Sequence, residues 1–165
     1  MKNLLIIITL LFVALPTVQA TSPTKIQATN YGSWSYECAK KPCFISQLLM
    51  VTAGEEAHIA GGLSLLNLPK KQTLLSVRVS ALADQSQGLG IKIDGHKDIR
   101  VAIEACSQSH CEVNVLADNT LISEMKSGKI LGVFYINKKS QKQVSLPFSL
   151  HGFPEAFLRL KNELN

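Results

Sequence analysis

The sequence predicts a mainly β fold, an antiparallel β-sandwich or flattened barrel with a short connector helix and a C-terminal amphipathic helix. Three observations carry that prediction. Eight or nine short segments alternate apolar and polar residues with period two. Clusters of Gly, Pro, Asp and Asn punctuate them at regular spacing. Helical periodicity is confined to two stretches late in the chain. A chain of 165 residues with 46% apolar content suits one folded domain and excludes intrinsic disorder as its main state. The net charge of +5 is milder than a dedicated nucleic-acid binder carries, so no nucleic-acid partner is expected.

The chain opens with Met1-Lys2-Asn3, a short positive start, followed by Leu4–Leu15, in which only Thr9 is polar. That run falls short of the roughly 20 residues a spanning helix needs. Pro16 breaks it, and Val18-Gln19-Ala20 carries short side chains where a signal peptidase reads. Residues 1–20 therefore read as a cleaved signal peptide. No cysteine near Ala20 suggests a lipid anchor, and no second stretch approaches spanning length, so no transmembrane span is expected after processing. Residues 21–30, polar with Pro23, read as a flexible N-terminal arm, and 31–165 as a single β domain.

The first strand of the domain is read over Tyr31–Cys38, with Trp34 and Tyr36 on one face. Phe44–Val51 reads as a second strand, and Gly54-Glu55-Glu56 as a turn into Ala57–Leu68, where Gly61-Gly62 weakens the strand signal. Leu74–Ala81 alternates with β-branched residues on one face. Asp84–Gly90 is a polar loop. Gly90–Ile93, Asp94-Gly95 and Ile99–Ile103 make the clearest hairpin, Asp-Gly being suited to a tight two-residue turn. Cys111–Val115 resumes the alternation. Ile130–Ile136 and Val144–Leu150 form a further hairpin across Asn137–Lys142.

Asp118 or Asn119 can cap the connector helix, which carries Leu121, Ile122 and Met125, with Lys126 in its last turn and Gly128 just past it. The second helix starts near Pro154, and Phe153, Ala156, Phe157, Leu160 and Leu164 trace one apolar stripe along it. Arg159, Lys161 and Glu163 fall off that stripe, as a solvated face would.

Four cysteines in a short exported chain point to disulfides. Of the three possible connectivities, Cys38–Cys43 with Cys106–Cys111 is favoured, because each pair brackets a turn-like stretch. Closing so short a loop contributes only about 2 kcal/mol in the chain-entropy picture. The alternative, a four-thiolate zinc site, needs reduced thiols and tighter spacing, so no metal and no cofactor are predicted.

Catalytic patterns are absent from the sequence. No Gly-rich phosphate loop precedes a helix, no His-Glu-x-x-His motif occurs, and Ser64 lacks the Gly of a nucleophile elbow. His96 between Asp94 and Asp98 reads as a solvated loop tip. His110 beside Cys111 raises a thiol-active alternative, since an imidazolium lowers thiol pKa. Lys40-Lys41, Lys70-Lys71 and Lys138-Lys139, together with Lys142, sit at predicted turns, where they solubilise; turns meeting at one end of the sandwich would attract an anionic surface. Tyr31, Trp34 and Tyr36 are candidates either for the core or for a binding face, with core packing favoured beside a disulfide.

Tyr31-Gly32-Ser33-Trp34 with Cys38, then Cys43-Phe44-Ile45-Ser46-Gln47, resembles the opening of the invasion associated locus B family of exported bacterial proteins. The similarity continues through Gly90–Gly95, the Cys106/Cys111 pair, Leu121–Gly128, and Ser149-Leu150-His151-Gly152-Phe153 with Ala156. His110 departs from the pattern, which more often has Gly there, and so does Ala81–Gln87, which lacks the Pro-and-Gly pattern expected. The resemblance implies an exported, β-rich, cysteine-containing protein of a Gram-negative envelope, periplasmic, outer-membrane associated or secreted, with one branch linked to host-cell invasion. It brings no enzymatic reaction or cofactor. The expected function is therefore non-enzymatic binding of a protein or envelope component, with a thiol-active protein or a small-ligand carrier as alternatives.

Overall fold

The computed structural model describes residues 28–163; the leader, most of the arm and Leu164 lie outside them. In chain order the strands are β1 (Thr29–Tyr31), β2 (Trp34–Glu37), β3 (Phe44–Ala53), β4 (Glu56–Asn67), β5 (Thr73–Ser80), β6 (Leu89–Ile93), β7 (Ile99–Val101), β8 (Ala105–Cys106), β9 (His110–Leu116), β10 (Ile130–Ile136) and β11 (Gln143–Ser149). Helix α1 (Asn119–Ser127) follows β9, and α2 (Phe153–Asn162) closes the chain. The strands form two open antiparallel sheets, ordered β1-β2-β3-β4-β5-β9-β8 and β11-β10-β6-β7. The predicted mainly β class holds, as a sandwich and not a closed barrel.

Alternation along the strands puts one face of each sheet inside. Ile45, Leu63, Leu65, Leu75, Val77, Val79 and Val113 line the inner face of the large sheet, against Leu89, Ile91, Ile93, Leu131, Val133, Leu146 and Phe148 of the small one. The helices complete that layer. Helix α2 buries Phe153, Ala156, Phe157 and Leu160, and α1 buries Leu121, Ile122 and Met125. The Asp118 carboxylate caps α1 by accepting from Leu121 N at 2.8 Å.

Three local expectations are corrected. Thr29 and Asn30, assigned to the arm, belong to a strand, and the single strand read over 31–38 is two. Gly32, at φ +56°, reverses the chain so that Tyr31 pairs with Trp34. Asp94-Gly95 does not make a two-residue turn. Ile91 pairs with Ile99, while Ile93 pairs with Leu131 of β10. The Asp94 carboxylate accepts from Lys129 N and Ile130 N at 2.7 and 3.0 Å, tying the loop to the start of β10 instead of to its own return strand. Gly61-Gly62 lies well inside β4. A Cβ on Gly61 would meet Leu146 Cδ1 at 2.8 Å and Arg78 O at 3.0 Å, so a side chain there would crowd the place where the small sheet presses on the large one. Beside it the β3–β4 register shifts, leaving Ala60 unopposed in a bulge.

Candidate functional site

The aromatic cluster proposed as core or binding face divides. Trp34 is 0% exposed, packed edge-on against Phe153 with ring centroids 5.1 Å apart, and its Nε1 donates to Ser149 O. Tyr36 is also buried, with the Arg159 guanidinium 4.6 Å from its ring centroid. Its hydroxyl faces the Glu163 carboxylate without meeting it in good hydrogen-bond geometry. Burial, then that carboxylate, push the phenol pKa up, while Tyr36 and Arg159 hold Glu163 below the usual carboxylate range. Trp34 and Tyr36 thus belong to the core; only Tyr31 keeps a half-buried ring.

Around Trp34 the two ends of the domain are clasped together. Ser33 N donates to His151 O at 3.0 Å. Gly152, at φ +83°, passes so close to β1 that a Cβ there would lie 2.1 Å from Tyr31 O, and one on Gly32 would lie 2.5 Å from His151 O. Two of the sequence blocks that resemble the family are the two halves of this clasp. Their role is structural.

Both disulfides pair locally, Cys38 with Cys43 and Cys106 with Cys111, with Cα atoms 4.4 and 3.9 Å apart. Glu163 lies beside the first pair, but those sulfurs are bonded to each other and offer no thiolate to a metal. Cys111 is fully buried on the inner face of β9. Its neighbour His110 faces outward, toward Ser109 and Glu112, because successive side chains on a strand take opposite faces. The imidazole is therefore not positioned to activate that sulfur, which weighs against the thiol-active alternative.

The turn lysines also divide. A cleft of about 490 Å³ at one end of the sandwich is lined by Lys41, Pro42, Cys43, Asn67, Leu68, Pro69, Leu160 and Glu163, so the turns of Lys40-Lys41 and Lys70-Lys71 meet there. Lys138 and Lys139 lie at the other end: Lys138 N donates to Leu82 O, just past the far end of β5. The cleft opens at the edge of the sandwich and not between its sheets, where the ligand-carrier alternative would have it.

The surface that stands out is the outer face of the large sheet. A polar ladder, Ser35, Ser46, Ser64, Ser76 and Asn114, crosses five strands in register. On one side runs an apolar row, Phe44, Leu66, Leu74 and Leu116. On the other lie Leu48, Gly62, Arg78 and Glu112, with Arg78 Nε on Glu112 at 2.8 Å. That hydrogen bond, more than any other influence, holds the Glu112 carboxyl below its ordinary pKa. Beyond this row β3 and β4 outrun their neighbours. β2 pairs with β3 only as far as Ser46, and β5 with β4 only from Gly61. A two-stranded ribbon therefore projects from the sheet, turning at Gly54-Glu55. Leu48, Met50, Val51 and Ile59 lie on it, 60, 51, 47 and 62% exposed. Two shallow hollows of about 340 and 280 Å³, both touching Leu48, Gly62 and Arg78, join the ribbon to the sheet face. The sequence reading identified β3 as a strand and missed this surface.

Among the described residues no helix is long and apolar enough to cross a membrane. A crystal structure of invasion associated protein b from Bartonella henselae shares the fold, with a TM-score of 0.75 and 21% identity over 84% of this chain and 98% of that one. No curated protein matches. The family model described as Invasion associated locus B (IalB) protein matches residues 34–161, from the clasp tryptophan to the last turn of α2. With the sandwich, the clasp and that match together, the chain belongs to the invasion associated locus B family.

Proposed function

We propose that this is a non-enzymatic exported protein of the bacterial envelope that binds an extended segment of a protein partner along the free edge of β3. One observation carries the reading: a long apolar strand edge left unpaired by the described residues. From Phe44 to Gly54 the chain has no charged residue, and from Gln47 onward β3 pairs with no strand on its outer side among the described residues. Proteins ordinarily protect such an edge with charge, proline or a cover, because it templates pairing with another chain. A partner strand would gain main-chain hydrogen bonds from β3 and seat alternate side chains against Leu48 and Met50. The acidic tip, Glu55 and Glu56, opposes insertion of the ribbon into an anionic bilayer. Two disulfides support an oxidising compartment, and the name of the family supports a role in contact with host cells.

The test is site-specific photo-crosslinking in intact cells with the probe at Val51, and at Lys139 as control. The expected result is one protein adduct from position 51, lost when Met50→Lys places a charge on the ribbon and absent from position 139. Adducts only between two copies of this chain, or the same adducts from both positions, would overturn it.

A further inference from the structure

We infer that the end of the sandwich where the turn Pro69–Lys71 meets the last turns of both helices binds a phosphate group through Lys71, Lys126 and Lys161. The site is separate from the β3 edge and does not rest on strand docking.

Lys161 is built into position. Its Nζ donates to Asn67 Oδ1 at 3.3 Å and to Thr73 Oγ1 at 3.2 Å, and Thr73 is only 4% exposed. An ammonium carries three hydrogens, so one remains for another acceptor. Lys126, from α1, brings its Nζ to 5.1 Å from the centroid of the Phe157 ring, and Lys161 Nζ stands 5.5 Å from the same centroid. One buried ring thus gathers two ammonium groups from two helices. Lys71 adds a third charge from the turn, where Lys70 and Lys71 both take positive φ, 61° and 60°, a conformation bulky residues rarely adopt. Lys71 stands two residues before Thr73, which Lys161 contacts, and burial, then the charges of Lys126 and Lys71, lower the Lys161 pKa. Among the described residues none of the three forms an ion pair with a carboxylate.

Helix dipoles favour a lysine in each last turn. They do not explain why both lysines meet at one ring beside a third. Mutual repulsion at such a point is relieved by an anion with several charges and several acceptor oxygens. Lysines act as point charges and suit a phosphate; a planar carboxylate is better matched by the fork of an arginine. The cleft of about 490 Å³ shares Asn67 with this cluster; Lys41, Pro42, Leu68, Pro69 and Leu160 line it, as does the Glu163 carboxylate that Arg159 pairs, and it leaves room for the organic group that a phosphate carries.

The experiment uses the whole processed protein. Calorimetric titration with inorganic pyrophosphate is one arm, and flotation with phosphatidylcholine vesicles containing phosphatidic acid is the other. K71Q/K126Q should weaken whichever binding is seen at least tenfold. It should leave the melting temperature of the ligand-free protein unchanged or higher, since like charges have been removed. K138Q/K139Q, the same charge change at the far end, should alter neither. Pyrophosphate binding alone assigns a soluble phosphate ligand, and vesicle binding assigns a lipid-borne one; either supports the site when it depends on Lys71 and Lys126. No binding in both arms, or equal losses in the two double variants, would overturn it.

Discussion

The clasp around Trp34 and the β3–β4 ribbon solve opposite problems with similar means. In the clasp, a wide ring lies wholly inside, its one polar atom bonded to Ser149 O, and two glycine turns let backbones touch. In the ribbon, four aliphatic side chains stand about half exposed, and among the described residues the outer edge of β3 has no paired strand past Ser46. The first region has nothing left to bind. The second has unspent main-chain groups and apolar area. The contrast teaches that aromatic richness marks this protein's structure, while its available surface is aliphatic, carried on a hairpin longer than the sheet behind it.

Trp34→Ala is expected to break the clasp with the largest effect, about 3–5 kcal/mol, from the cavity under Phe153 and the stranded Ser149 carbonyl. Gly152→Ala should follow, at about 2–4 kcal/mol. Its positive φ disfavours any Cβ, and the Tyr31 carbonyl occupies the place that Cβ would take. Urea denaturation of the oxidised protein measures both. A loss below about 1 kcal/mol in either would show that the clasp can give way, and would move it toward the ribbon in character.

How far the sequence foretold this contrast follows from the range of each interaction. Tyr31-Gly32-Ser33-Trp34 and Ser149–Phe153 stand out as motifs, but 115 residues separate Trp34 from Ser149, and nothing local says that they touch. Alternation in Phe44–Val51 marks a strand. Whether its edge is covered depends on β2, which stops at the Gly32 turn, a decision made elsewhere in the chain. Lys161 reads as solvated because helical spacing places it off the apolar stripe; only the assembled fold sets it on Asn67 and Thr73. The cysteine pairs were legible because each closes a loop within five residues.

Acid sharpens the comparison at intermediate size, because two of the three carboxylates with a lowered pKa, Asp94 and Glu112, lie outside both regions; the third, Glu163, sits on Tyr36 and Arg159. Backbone donors from Lys129 and Ile130 lower the Asp94 pKa, and the hydrogen bond from Arg78 lowers that of Glu112. A folded pKa below the unfolded value means that the unfolded chain binds more protons. Stability is then complete above the unfolded values, about 4, and falls as pH drops through the lower folded ones. Urea midpoints measured from about pH 6 to about pH 3 should be flat and then decline. Asp94→Asn and Glu112→Gln should each flatten the decline, and Gly152→Ala should leave its slope unchanged. A slope unaltered by both carboxylate variants would show that the pH dependence arises at other groups.

The smallest effect on stability is expected where the functional effect is largest. Ile59→Ser removes an apolar side chain that is already mostly in water, so the urea midpoint should move by no more than about 0.5 kcal/mol equivalent. Ile59 is also the cross-strand partner of Met50, on the face that continues the outer surface of the sheet. The same substitution should therefore weaken capture of the partner at Val51. If the ribbon were a structural element like the clasp, the two readouts would change together, with Ile59→Ser costing well over 1 kcal/mol, the usual mark of a buried contact. Separation of the two, with stability kept and capture lost, is what an unspent surface predicts, and a core residue cannot produce it.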